Sequence, residues 1–168
     1  MTQSKNKVIL YIGLKMIGVM KMTALAKTIE TLLENKKYSS LRDVLSSMNE
    51  ADIAAMFSEV SSDSLPLLFR LLPKDLAADT FALMDTDEQE LLIRGFSDNE
   101  IKEVFDELYV DDAADIVEEM PANVVKRILK NTEPDMRQMI NEILKYPEDS
   151  AGSLMTTDYI SLRPKMTI

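Results

Sequence analysis

The chain has 168 residues and a formal net charge of −10, is 46% hydrophobic, and contains no His, Cys or Trp, so it is long enough to bury a real core, by default as one domain. Absence of cysteine excludes a disulfide scaffold and thiolate metal sites. Without histidine too, zinc chemistry and nucleophile–base pairs lose their usual actors, leaving only hard, oxygen-liganded ions as candidate metals. The acidic balance argues against nucleic acid as a partner, because phosphate binding needs a basic stripe.

Residues 1–22 form an extension of uncertain status. A basic, polar start leads into an apolar run from Val8 to Met20 that Lys15 interrupts. That run is too short for a bilayer, which needs about 20 apolar residues, and it lacks a small-residue signal cleavage site. From Thr23 a helix is predicted, with Leu25, Ile29, Leu32 and Leu33 on one face, ending at Asn35-Lys36-Lys37. Tyr38-Ser39-Ser40 reads as a turn whose serines cap the next helix.

From Leu41 to Leu129 the sequence repeats every twelve residues. Leu45, Phe57, Phe69, Phe81, Ile93, Phe105, Val117 and Leu129 are all large and apolar at that spacing. Three positions later come Met48, Val60, Leu72, Met84, Phe96, Leu108 and Met120. Companion series one and four positions earlier are apolar apart from Thr80 and Gln89. Offsets of −4, −1, 0 and +3 trace one face of an α-helix and not alternate faces of a strand. The units are 49–60, 61–72, 73–84, 85–96, 97–108, 109–120 and 121–132. Their third residues, from Asp63 onward, are Asp or Asn and are expected to cap each helix. Helices of roughly two to three turns are marginal alone. Stacking them as hairpins of 24 residues predicts an all-α, right-handed superhelix. Units 61–72 and 85–96, enriched by Leu67, Leu71 and Leu91, are expected to be the inner helices.

After Thr132 the period is expected to fail, with a longer helix from Pro134 carrying Met136, Met139, Ile140, Ile143 and Leu144 and closing the stack. The turn-rich Tyr146–Thr156 follows, then a strand-like alternation over Asp158–Leu162. The expected division is an extension at 1–22, a helical-repeat domain at 23–145, and a linker plus the start of a second, truncated domain at 146–168.

Residues 85–120 hold fourteen carboxylates against Arg94 and Lys102, a net of −12. A solvated face accounts for such a run as readily as a site does. Within Tyr109–Met120, Ala113, Ile116, Val117 and Met120 face the core, which turns Asp111, Asp115 and Glu118 outward. Asp111 is expected near the helix start as a cap. Asp115 stands where the 24-residue rhythm elsewhere has Leu67 and Leu91, which fits either a function or a less buried final repeat. Asp75 and Asp79 form a second i,i+4 pair, readable as cap plus solvated residue or as oxygen ligands for Mg²⁺ or Ca²⁺. No EF-hand or phosphate-binding loop is present, and nothing suggests a catalytic pocket. The methionines read as core filler.

Three segments, Leu71-Leu-Pro-Lys-Asp-Leu-Ala-Ala-Asp79, Asp111-Asp-Ala-Ala-Asp-Ile-Val-Glu-Glu-Met-Pro121 and Tyr146-Pro-Glu-Asp-Ser-Ala-Gly-Ser-Leu-Met-Thr156, resemble the cytosolic N-terminal domain of MgtE-type magnesium transporters. The likeness covers about residues 23–168, with Leu154–Ile168 resembling the first residues of a CBS (cystathionine-β-synthase-type) domain. It implies a regulatory, non-enzymatic, cytosolic part of a multi-pass membrane protein. CBS domains and a transmembrane channel domain of the same polypeptide would be its partners, in a homodimer. Bound Mg²⁺ would hold the cytosolic domains together and the channel shut. The ligands the resemblance implies are Asp111, Asp115, Asp79 and the carbonyl of Gly152. A different reading, a helical-repeat protein-interaction scaffold with no metal role, is supported equally by the repeat alone.

Overall fold

The structure, a computed structural model, describes residues 23–147, 150–152 and 155. The expectations for residues 1–22, for the strand at 158–162 and for nearly all of the second-domain start lie outside the described residues. Among the described residues every regular element is helical: α1 (23–34), α2 (Tyr38–Leu45), α3 (Glu50–Phe57), α4 (Leu65–Phe69), α5 (Lys74–Ala82), α6 (Thr86–Gly95), α7 (Asp98–Glu107), α8 (Val110–Glu119), α9 (Ala122–Asn131) and α10 (Pro134–Ile143). The fold class is all-α, as the repeat predicts, with one helix in each twelve-residue unit. The chain divides into two compact units, Met1–Glu88 and Gln89–Ile168, and the division falls inside α6.

The apolar series is the core. Leu45, Phe57, Phe69, Phe81, Ile93, Phe105 and Val117 are all buried. The three phenylalanines Phe57, Phe81 and Phe105, spaced by 24, are the largest side chains withdrawn almost completely from water. Burial of each such side chain contributes roughly 1.5–3 kcal/mol of transfer free energy. Helices two apart in sequence pack together: α3 with α5 in the first unit, α7 with α9 and α8 with α10 in the second. The two polar members of the pattern, Thr80 and Gln89, are buried too, while Val125 and Leu129 at the end of the series are only partly so.

Several expectations need correcting. In five of the seven units the helix starts earlier than the third position suggests: the N-caps Asn49, Pro73, Ser97, Tyr109 and Pro121 are the first residues of their units, whereas in unit 61–72 the N-cap is Ser64, one residue after Asp63. Asp75 and Asp111 therefore lie in the first turn, where a carboxylate is favoured by the helix dipole and is not itself a cap. Ser97 and Glu100 do form a reciprocal capping box. Ser39 and Ser40 lie inside α2, whose N-cap is Lys37 with no side-chain bond. In unit 61–72 the helix has only five residues, because the Ser61–Ser64 turn takes up the start of the unit; Pro66, in the first turn of the helix, costs it no hydrogen bond. Leu67 consequently points outward and is 39% exposed, against its expected inner position. Nor does the helix period stop at Thr132. Glu133, twelve residues after Pro121, is the N-cap of α10, which at ten residues is no longer than α9.

Helix α1 ends in a Schellman turn. The Lys37 amide donates to the Leu32 carbonyl at 3.0 Å and the Lys36 amide to Leu33 at 2.9 Å, with Lys36 at φ 54°.

Candidate metal centre

Helix α8 is rotated so that its carboxylates fall outside its buried apolar stripe. Val110, Ala113, Ala114, Ile116 and Val117 are buried, and these positions fix the rotation of the helix about its axis. Asp111 and Asp115 then share the outer side one turn apart, as the sequence predicts. The backbone amides at the start of α8 supply partial positive charge beside Asp111.

The two carboxylates meet different conditions. Asp111 is half-buried, and its Oδ1 is shut off from water with no hydrogen-bond partner among the described residues. Asp115 reaches solvent. Partial withdrawal from water raises its carboxyl above the ordinary value of 3.8, and the nearby charges of Asp111 and then Glu119 push it the same way. A carboxylate oxygen without a donor, beside a second carboxylate that resists ionisation, is an arrangement a hard cation would relieve. Both features fit Mg²⁺ as ligand, since that ion takes one or two carboxylates and keeps several waters. Among the described residues no group of three or more acidic side chains converges on one point. The pair is at most part of a coordination set.

The other two expected ligands are carried by other elements of the chain. Asp79 is an exposed residue of α5 in the first unit, whereas Asp111, Asp115 and Gly152 belong to the second. Gly152 lies beyond α10 in a turn against Tyr146. A shallow cleft of about 500 Å³ opens where α7 meets α8 and α10, between Asp106, Tyr109, Glu133 and Met136, and none of the four expected ligands lines it.

Two further residues escaped sequence reasoning. Burial raises the Glu88 carboxyl despite hydrogen bonds from the Ser58 hydroxyl and the Asp85 amide. The spacing Asp85-x-x-Glu88 was its available signal, being that of a capping box. Arg127 of α9 donates to the carbonyls of Ile93 (2.5 Å) and Phe96, at the C-terminal end of α6. Its carboxylate neighbour is Asp98 at 3.5 Å. Nothing local in the sequence marks that contact, since its ends are more than thirty residues apart. Among the described residues no helix is long and apolar enough to cross a membrane.

Comparison with known proteins agrees with this architecture. The chain is 29% identical over 148 residues to the magnesium transporter MgtE of Thermus thermophilus, covering 86% of this chain and 33% of that protein. It is 23% identical over 153 residues to the magnesium transporter MgtE of Bacillus subtilis, covering 91% of this chain and 34% of the relative. It thus spans about a third of the length of the curated relatives it matches. Among solved structures, the cytosolic domain of the Mg²⁺ channel MgtE in complex with ATP superposes with a TM-score of 0.74 at 29% identity, over 84% of this chain and 58% of that one. The soluble part of a magnesium transporter does so with a TM-score of 0.71 at 18% identity, over 84% and 55%, a likeness of fold. The family model for the MgtE intracellular N domain matches residues 48–149, which take in α3 to α10. The chain therefore belongs to the MgtE intracellular N domain family, which is a family of magnesium-transporter domains and not of enzymes.

Proposed function

We propose that this chain is the regulatory, Mg²⁺-sensing N domain of a magnesium channel or transporter, lying on the cytoplasmic side of the membrane. Asp111 and Asp115 of α8 supply one half of an ion site, and a CBS domain further along the same polypeptide supplies the other. The observation that carries this reading is the unpartnered, enclosed Oδ1 of Asp111 one turn from a carboxylate held protonation-prone by burial and by its acidic neighbours. Asp79 and the Gly152 carbonyl are proposed as additional ligands on the strength of the motifs that contain them.

The mechanism is electrostatic. Two acidic surfaces repel, and a divalent ion between them removes the repulsion only when they are together. An ion that binds only the closed arrangement stabilises it by RT ln(1 + [L]/Kd). Several weak sites acting at once can move a two-state equilibrium across a narrow concentration range. Weak individual binding is therefore expected of such a sensor.

The test is limited proteolysis of the polypeptide extended through the following domain, with and without millimolar Mg²⁺. Protection that appears with Mg²⁺ and is lost in Asp111→Asn/Asp115→Asn supports the proposal. Cleavage indifferent to Mg²⁺ refutes it and leaves a helical scaffold for protein partners as the better reading.

A further inference from the structure

We infer that Tyr146 and Gly152 form a latch that fixes how the polypeptide leaves α10, and that position 152 requires glycine for this contact. After Ile143 the helix tightens into a final turn: the Lys145 amide bonds the Glu142 carbonyl at 3.3 Å, and the Tyr146 amide bonds Ile143 at 3.0 Å. Pro147 has no amide to continue the ladder. Its carbonyl instead receives the Ser150 amide at 3.1 Å, which bends the chain back.

This bend brings Gly152 under the Tyr146 ring. A Cβ at residue 152 would stand 2.3 Å from Cδ1, 2.5 Å from Cγ and 2.8 Å from Cε1 of that ring. These are impossible contacts, and they involve the root of the ring as well as its edge. They are cleared only if the ring rotates about χ1 or the main chain at 152 moves away from it, and either movement ends the contact. Backbone conformation is not the reason for glycine here, because no described glycine has a positive φ. Space is the reason: the aromatic face approaches the main chain more closely than a Cβ allows.

The contact is superficial, with Tyr146 46% exposed. Breaking it should free the exit segment while leaving the helices intact. Since α10 packs on α8, the latch also ties the exit direction to the helix bearing Asp111 and Asp115. That last consequence rests on the proposed function; the latch itself does not.

NMR and hydrogen exchange on this chain separate the two. In the unaltered protein the Gly152 α-protons should show a ring-current shift, which disappears in Tyr146→Ala and persists in Tyr146→Phe. Gly152→Ala should speed exchange of the Ser150 amide several-fold, as Tyr146→Ala does, and the double variant should be no faster than either alone. Unchanged far-ultraviolet circular dichroism would verify that the helices remain. Gly152 α-protons at unshifted positions, or Ser150 exchange unaffected by Gly152→Ala, would overturn the latch. In the extended polypeptide, Tyr146→Ala should weaken Mg²⁺-induced protection although every ligand oxygen remains. If the unaltered polypeptide shows no such protection, the sensing proposal fails, and the latch still stands or falls on the NMR result.

Discussion

Helices α2–α5 of the first unit and α7–α10 of the second carry the same twelve-residue apolar pattern, yet they end differently. In the first unit, α2, α3, α4 and α5 have 8, 8, 5 and 9 residues, and each runs out through a helical C-cap, at Ser46, Ser58, Arg70 and Leu83. In the second, α7, α8, α9 and α10 all have ten residues. There the C-caps Leu108, Met120 and Thr132 are extended, and the next N-cap follows at once, whereas α10 runs out through a helical C-cap at Leu144 as the first-unit helices do. At the ends of α2 and α3, Ser47 and Ser58 donate their hydroxyls to the carbonyls of Val44 (2.7 Å) and Ala54 (3.3 Å). The Thr132 hydroxyl does the same to Ile128 (2.9 Å) at the extended end of α9, so this bond does not set the conformation of the cap. At the corners of the second unit, Leu108, Met120 and Thr132 are buried, and burial pulls the chain straight across. The period sets how often a helix begins, and the link chemistry sets how long it lasts.

The largest effects should be common to both units. Phe57→Ala in the first and Phe105→Ala in the second should each lower stability by about 3–5 kcal/mol in urea denaturation. A loss below about 1 kcal/mol at either would deny that the repeat position is the core. Next is a feature of the second unit, the guanidinium that caps α6. Arg127→Met keeps most of the aliphatic stem and removes the donors to Ile93 and Phe96, so a loss of about 2 kcal/mol is expected. A neutral result would place those carbonyls in water.

A smaller change should stabilise the first unit. Lys36 holds a left-handed conformation at the end of α1, which costs a side-chain-bearing residue about 1–2 kcal/mol. Lys36→Gly should therefore gain about 0.5–1 kcal/mol after the added flexibility of the unfolded chain is subtracted. Thermal melting would register it.

The smallest effect concerns the candidate site. Asp115→Asn removes a like charge at i,i+4 from Asp111 and should stabilise the metal-free protein by about 0.2–0.5 kcal/mol near neutral pH. The sign follows from the raised carboxyl. Folding favours its protonated form, so the penalty is absent below the ordinary 3.8 and grows as pH rises through the higher folded value. The gain should vanish in acid. A variant that becomes more stable while losing its response to Mg²⁺ would separate function from folding.

Fold class, helix count per unit and the outward face of α8 were legible in the sequence, because a side chain's place on a helix depends only on local spacing. Helix starts were misread by about two residues, since Asp and Asn are favoured in the first turn as well as at the cap. The shortness of α4 and the persistence of the rhythm into α10 depended on the Ser61–Ser64 turn and on Glu133, which the apolar pattern does not register. Asp111 and Asp115 were legible as a pair. The orphaned oxygen of Asp111 and the reach of Arg127 depend on tertiary neighbours and left no local trace, and the spacing Asp85-x-x-Glu88 marked a capping box without showing that Glu88 is withdrawn from water.

The half-site on α8 is tested most directly by titrating this chain with Mn²⁺, a paramagnetic stand-in of similar oxygen preference, while watching its backbone amides by NMR. The account predicts broadening centred on residues 110–116, reversed by excess Mg²⁺ and abolished in Asp111→Asn/Asp115→Asn. Broadening spread evenly over the carboxylates of α6, α7 and α8, and unaffected by the double substitution, would contradict it: the ion would then be answering a diffuse charge and not a site.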